Sequence, residues 1–475
     1  MWCAPLVPLK LLLLLVLVLC DGMGMEQATR CLSSSYVDPF IGTTGLGFGS
    51  GQLSPAAQTP FGALRLGPDT TNKVPDLDFR HCSGYNFNDT VIRAFSHTRL
   101  VGAGVSDLGN FGMMPILSSS KQHHQGQGQL HSWYSNFDKN TETARPGHYS
   151  VTLDVEGERH SENKIQVELL AVSKFSGVHT YTWLQGSHLD DEDNMDPALA
   201  GVVIDLCHAA DEQLSSNPEN CKQAEVSFND ENNQLNASIQ FAGGLTNRDG
   251  GSLPIYLHAK IVIDDKMNIK ENDIKRTTCL NRACTKHTND NIITSNSGIL
   301  YSHLFMPSLQ LRGADRSINV RVALSFVSID QALTNYNDAF QMMVSVDATV
   351  NTDMKEYSKA TDIIWCEELS RIRFSAYDDS ILVSLYSSLY RTLLSPTQYS
   401  EVGGVYIGMD KQLHIVEEDR GDYYDNDNAD EASAADEFFS DLSLWDTFRT
   451  LMPWLLFTRP DIHIGKLAII ICACS

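Results

Sequence analysis

Between residues 150 and 327 apolar and polar residues alternate with period two, and this alternation constrains the fold of the 475-residue chain more than any other feature. Successive strand side chains point to opposite faces, so the alternation marks strands with one face in a core and the other in water. Segments 148–155, 164–172, 178–184, 201–206, 235–241, 254–263, 299–305 and 318–327 read as strands, separated by clusters of Gly, Asn, Asp and Ser. Short strands joined by turns, with no helical pattern between them, predict a large antiparallel β sandwich.

From residue 328 the period changes to that of a helix. Ser328 to Gln331 form the S-x-x-Q half of a capping box ahead of a helix at 332–343, and a second helix is expected at 353–370. A third, 380–394, carries the stripe Ile381, Leu382, Leu385, Tyr386, Leu389 and Leu393 and stops at Pro396. Residues 417–437 hold ten acidic residues and one arginine, which reads as a solvated loop. As a calcium loop, Asp425-x-Asp427 lacks the fifth oxygen ligand and the glycine after it. Residues 442–457 are again helical and apolar, with Trp445, Asp446, Arg449 and Trp454, and 466–475 is an apolar, uncapped tail.

Charge excludes one class of partner. Thirty-five Lys and Arg against 59 Asp and Glu give a net charge of −24, leaving no basic stripe for nucleic acid or an anionic membrane surface. Lys10, the apolar run 11–19 and small residues at Gly22 and Gly24 have the layout of a secretory signal peptide over residues 1–25, with a signal anchor as the alternative. The run is too short for a stable bilayer span, which needs about 20 apolar residues, and no other membrane span is expected. The lumen of the secretory pathway or the exterior is the expected location. There the pairs Cys207/Cys221 and Cys279/Cys284 can be bridged locally, whereas zinc spacing is lacking. The sequons Asn88-Asp-Thr90 and Asn236-Ala-Ser238 fit an exported chain, although such triplets also arise by chance.

The glycines at 42, 45, 47, 49 and 51 do not form a phosphate loop, because no Lys-Ser/Thr follows and Pro55 and Pro60 occupy the place of the helix. A ligand-facing loop fits better. Further on, His97, Arg99 and Asp107 sit among glycines that permit close backbone approach.

Seven motifs occur in one order: Tyr36 to Thr43 (YVDPFIGT), Pro60 to Gly62, Pro68 to Thr70, Ser83 to Tyr85, Phe95 to Thr98 with Gly102 to Gly109, Pro146 to Ser150, and Ser443 to Arg449 (SLWDTFR). In that order they closely resemble glycoside hydrolase family 92, the exo-acting α-mannosidases. The resemblance implies an N-terminal β supersandwich (27–327), linker helices (328–374) and the start of an (α/α)6 barrel (375–465), with the site between domains. It implies an α-mannoside or high-mannose N-glycan as ligand, calcium as cofactor, and inverting hydrolysis by two carboxyls roughly 6.5–9.5 Å apart. Trp445 and Asp446 are carried over as the sugar pocket, the indole offering an apolar face and the carboxylate accepting hydroxyl hydrogen bonds. The alternative for this pair is a core Trp with a local Asp cap. His97, Asp107 and the loop of Gly45 and Gly47 are carried over as shaping the cleft, and read equally as satisfied groups in tight loops.

Two positions depart from the family pattern: Arg99 stands where many relatives have a second His, and 417–437 resembles an insertion. The catalytic acid and base and the calcium ligands are expected beyond Ser475, so no catalytic or metal residue is assigned. A catalytically silent secreted glycan-binding module is the rival expectation, and nothing in the sequence specifies an oligomeric state.

Overall fold

The computed structural model describes residues 32–462 except 46–51, 72–80, 103, 105, 119–132, 155–163, 185–198, 212–214, 216, 218, 230–231, 244–253, 264–274, 281–282, 288–292, 296–299, 311–314, 342–353, 409, 417–436, 441–446 and 461. The leader, the tail, nearly all of the acidic run, Gly47, Trp445 and Asp446 therefore lie outside the described residues.

The alternating segments form a two-layered, wholly antiparallel sandwich. One layer runs through the strands Ala283–His287, Lys275–Leu280, Leu300–Gln310, Leu199–Asp205, Gly112–Ser118, Val91–Ser96 and Gly67–Thr71. The other runs from His148–Asp154 through Lys164–Ala171, Ser176–Leu184, Arg316–Ser325, Ile255–Ile263, Gln234–Phe241 and Cys221–Asn229 to Ile293–Ser295. The layers join at one edge, where Val91 and Ile92 pair with Asn136 and Ser135 of the short strand Ser135–Phe137. Their inner faces share one core, in which Phe95, Met113 and Val203 of the first layer meet Tyr149, Val167, Tyr181 and Val322 of the second. Trp183 Nε1 crosses the core to donate to Ile116 O at 3.1 Å.

A disulfide joins Cys207, just after one first-layer strand, to Cys221, at the start of a second-layer strand. Cys279 and Cys284 are register partners across their hairpin. Cys366 is disulfide-bonded as well.

Two strands near the N-terminus were not legible as alternation. Val91–Ser96 is buried at every position, as is Gly67–Thr71. A strand covered on both faces loses the polar half of the pattern, and these strands carry Arg93, Asp69 and Thr70 inward as buried polar groups.

The helices follow the sandwich. The first, Ile329–Gln341, is capped by Ser328, whose hydroxyl accepts from Gln331 N at 3.0 Å. The Gln331 side chain does not return to the cap but donates to Asn335 Oδ1 and Val402 O, so only half of the capping box forms. The second is Met354–Ser370. The third is Asp379–Thr392, with Asp378 as N-cap accepting from Ser380 N at 2.9 Å. The segment expected to be helical over 442–457 becomes a described helix only at Leu451–Thr458, with Pro453 in its first turn, where a missing N–H costs no hydrogen bond. Trp365, Leu369, Leu382, Tyr386, Leu389, Tyr390 and Leu455 form the helical core, to which the sandwich side lends Val37 and Phe61.

Candidate functional site

The sandwich and the helices meet along a loop that contains the Pro60 to Gly62 motif. Phe61 sits in left-handed backbone (φ 59°), which turns its N–H onto Leu393 O at 2.8 Å while its own carbonyl accepts from Gln398 N at 2.9 Å. Gln58 is held from both ends. Its Nε2 donates to Leu394 O, and its carbonyl accepts from Trp365 Nε1 at 2.9 Å. Arg65, almost wholly buried, spans the joint: Nη1 donates to Arg99 O, and Nη2 donates to Leu394 O at 3.0 Å and Thr397 Oγ1. The guanidinium of Arg459 lies 5.2 Å from the Phe61 ring and is fixed by Glu368 at 2.8 Å. A buried charge is tolerable only when its donors are taken up. The seam is therefore a determinate joint and not a loose contact.

Behind the seam the motifs Pro68 to Thr70, Ser83 to Tyr85 and Phe95 to Thr98 converge on a buried polar cluster. Arg99 Nη2 donates to Gly67 O at 2.6 Å and Ser96 Oγ at 2.9 Å, and Nη1 donates to Ser83 O at 3.0 Å. Asp69 supplies the counter-charge, with Oδ1 3.3 Å from Arg99 Nη2 and Oδ2 2.8 Å from His208 Nε2. The second ring nitrogen of His208 lies 3.6 Å from Asp205. Burial works against a charge on His208, but the hydrogen bonds with Asp205 and Asp69 outweigh it and raise its pKa. Gly84 packs on this carboxylate at φ +83°, where any Cβ would overlap Asp69 Oδ1. Arg99 thus binds Gly67, Ser83 and Asp69 into one unit.

His97 lies inside the sandwich with no exposed surface. Phe111 O accepts from its Nδ1, so Nε2 is left as an acceptor. His179 Nε2, 3.1 Å away, must then donate, and Tyr181 O–H completes the line by donating to His179 Nδ1 at 2.9 Å. Burial lowers the pKa of both histidines, that of His97 to about 4, which agrees with a neutral, directional chain. Any shaping of a cleft by His97 is indirect, through the Phe111 backbone that it holds at φ 57°. Asp107 is also buried, its Oδ1 accepting from Leu108 N at 2.7 Å. Gly45 is exposed at the end of the loop that follows Gly42. The structure brings His97, Arg99 and the loop around Asp107 together through Asn110, whose carbonyl accepts from His97 N and whose side chain accepts from Thr98 Oγ1.

Three contributors escaped the sequence reading. Arg65, Asp69 and His208 carry the seam and the cluster, yet His208 is 139 residues from Asp69 and Arg65 is 329 from Leu394. Only Asp69 lay within a quoted motif.

One carboxylate buried beside the helices is already engaged. Glu401 is buried, with Phe326 N donating to Oε1 and Asn335 Nδ2 donating to Oε2, both at 2.7 Å. Desolvation pushes its pKa up to about 7, and both oxygens are taken up by these donors. Among the described residues no group of three or more His, Cys, Asp or Glu could hold a metal ion.

The N-terminal domain of glycosyl hydrolase family 92 matches residues 36–325, and the catalytic domain of the same family matches residues 342–465. The chain belongs to glycosyl hydrolase family 92. No curated protein sequence matches it. Among solved structures it is similar to the family α-mannosidase BT3965 of Bacteroides thetaiotaomicron, with TM-score 0.64 and 21% identity over 89% of this chain and 47% of that one. A second structure of BT3965 is a complex with mannoimidazole (TM-score 0.63, 21% identity, 89% and 46% covered). The inverting mannosidase BT2199 of the same organism gives TM-score 0.63 at 19% identity, covering 90% of this chain and 46% of that one. The chain thus spans about half the length of these relatives and shares their fold, the sandwich followed by the first helices of the barrel.

Proposed function

We propose that this chain supplies the mannoside-binding part of an exo-acting, inverting α-mannosidase directed at N-glycan-type α-mannosides in the secretory pathway. The observation that carries the reading is the joint itself. Residues 36–325 and 342–465 match the two family domains, and the Gln58 to Arg65 loop locks these parts together through Leu393, Leu394 and Thr397. A site between domains depends on such a lock, since an error of about 1 Å in placement costs on the order of 100-fold in rate. The mannoimidazole held by BT3965 supports a mannose-type ligand.

In this reading Trp445 offers an apolar face to the terminal sugar and Asp446 accepts its hydroxyls. Inversion requires a carboxylic acid to protonate the leaving oxygen while a carboxylate activates water on the opposite face of the ring. Glu401 is committed to Phe326 and Asn335, and Glu368 to Arg459, so neither is assigned these roles. Calcium would supply ring binding and distortion when present.

Titration of the purified chain with methyl α-mannoside, followed by calorimetry, tests the binding. Weak saturable binding is expected, lost in Trp445→Ala and Asp446→Asn variants that retain the wild-type circular dichroism. Absence of binding by the folded wild type would refute the proposal. Hydrolysis of an activated aryl α-mannoside with calcium is expected to be at least about 10⁴-fold slower than for an enzyme with both acid and base. Fast calcium-dependent release would mean that the acid and base lie within these 475 residues.

A further inference from the structure

The chain has two N-linked glycosylation sequons, at Asn88 and Asn236, and the fold treats them in opposite ways. Asn88 lies on an exposed turn between the strands Gly67–Thr71 and Val91–Ser96. Asn86 Oδ1 accepts from Asn88 N at 3.0 Å and fixes the bend. Asp89 points inward, where its Oδ2 accepts from Thr70 Oγ1 at 2.7 Å and pairs with His81 Nε2 at 2.6 Å. With Asp89 turned in, Asn88 and Thr90 on either side of it are both exposed. Among the described residues the Asn88 carboxamide donates through Nδ2 to Thr44 Oγ1 at 2.9 Å, itself an exposed contact. A primary amide has two N–H groups and a glycosylated one keeps one, so a glycan and the bond to Thr44 are compatible.

Asn236 is placed differently. It sits in the interior of the strand Gln234–Phe241, paired with Ser227 on one side and His258 on the other. Register partners in an antiparallel pair share a face. His258 is buried, lies 2.7 Å from Asn236 Oδ1, and meets the Tyr336 ring of the helix Ile329–Gln341 at 4.9 Å. An oligosaccharide on Asn236 would stand on the face where that helix docks.

We propose that Asn88 carries an N-linked glycan in the folded, exported protein and that Asn236 does not. The proposal rests on export and goes beyond the mannoside reading. The donor is a lipid-pyrophosphate-linked oligosaccharide acted on by a lumenal oligosaccharyltransferase. A bond forms between Asn88 Nδ2 and C1 of the reducing-end sugar while the bond from C1 to the pyrophosphate oxygen breaks. The lipid pyrophosphate leaves with that electron pair, and one Nδ2 proton is released. The attached sugar would stand beside Phe87, which is 39% exposed and whose ring lies 4.1 Å from Lys139 Nζ.

The test expresses the full chain in a eukaryotic secretory host, once with its own leader and once behind the cleavable leader of a known secreted protein. Secreted material is digested with peptide-N-glycosidase F, and its peptides are read by mass spectrometry for conversion of Asn to Asp. One discrete loss of mass is expected, with conversion at Asn88 alone. It should vanish in Asn88→Gln and in Thr90→Val, which breaks the sequon without touching the amide, and persist in Asn236→Gln. Unmodified Asn88 in protein secreted behind the known leader would overturn the proposal, as would conversion at Asn236. Modification behind the known leader but not behind the native one would support it while refuting the export reading of residues 1–25.

Discussion

Glu401 shows how a single side chain can couple three segments and make the joint sensitive to pH. Its oxygens accept from Phe326 at the end of the sandwich and Asn335 in the first linker helix, and its own backbone pairs with Val405. Desolvation raises its pKa from 4.5 to about 7. Because the folded value lies above the unfolded one, this group favours folding fully below pH 4.5, and its contribution is lost as pH rises through 7. Four histidines with lowered values, His97, His148, His179 and His258, act in the opposite sense, their contribution falling away as pH drops below 6.5. The Glu401 term is isolated by difference. Relative to wild type, Glu401→Gln should gain stability between pH 4.5 and 8, by about 3 kcal/mol at the upper end, in urea unfolding followed by fluorescence. Parallel stability curves for the two proteins would show that Glu401 does not titrate in this window. None of this was legible in the chain, where Glu401 is one acidic residue before a Gly-Gly turn, because its partners lie 66 and 75 residues away. His97 and Asp107 were singled out from the sequence as polar groups among glycines, and the structure places both in the interior. Spacing reveals tight packing around a polar group, but not whether the group faces a ligand or a carbonyl.

At the scale of elements, legibility followed solvent exposure. His148–Asp154 and Gln234–Phe241 have one wet face and were read nearly to their ends. Gly67–Thr71 and Val91–Ser96, buried at every position, were missed for want of a polar face, whereas the equally buried 201–206 was found as a short apolar run. Helix termini were found where a side chain caps them, as at Ser328, and shifted where tertiary contacts decide, as in Leu451–Thr458. The Pro146 to Ser150 motif acquires a structural reason here. Gly147 adopts φ +78° at the corner joining Thr143–Arg145 to His148–Asp154, and any Cβ there would overlap Thr361 Cγ2 of the helix Met354–Ser370. Thr361 cannot simply move, because its hydroxyl donates to Ala171 O at 2.6 Å. Gly147→Ala should therefore cost about 3 kcal/mol, combining the left-handed backbone of roughly 1–2 kcal/mol with overpacking of similar size. Adding Thr361→Ser removes the colliding methyl and keeps the hydroxyl, so the double variant should recover the overpacking part and leave the backbone part. A thermal-melt cycle showing additive costs would place the collision elsewhere.

The whole molecule holds two main cores of unequal quality. The sandwich core is continuous across both layers and is tied by the Cys207–Cys221 disulfide, which closes a loop of 14 residues and is worth about 3 kcal/mol by chain entropy. The helical core is smaller, and its helices leave large apolar groups in water: Phe457 is 83% exposed, Ile363 58% and Leu456 53%. Exposed apolar groups of this size on few helices leave those helices with little burial to oppose their chain entropy. The seam offsets part of that deficit, since Arg65, Gln58 and the Phe61 backbone hold the 393–398 segment against the sandwich. Unfolding should accordingly occur in two steps. The helices should melt first, at low urea, with loss of helical circular dichroism, and the sandwich should unfold later with the strand signal. Before the first step the native protein should already bind an apolar fluorescent dye through the exposed helix faces, and brief proteolysis should leave a resistant fragment close to residues 36–325. Arg65→Met should move the first step to lower urea and leave the second unchanged, because it cuts the seam and spares the larger core. A single cooperative transition, with no dye binding and no resistant fragment, would show instead that the seam makes one folding unit of the two cores.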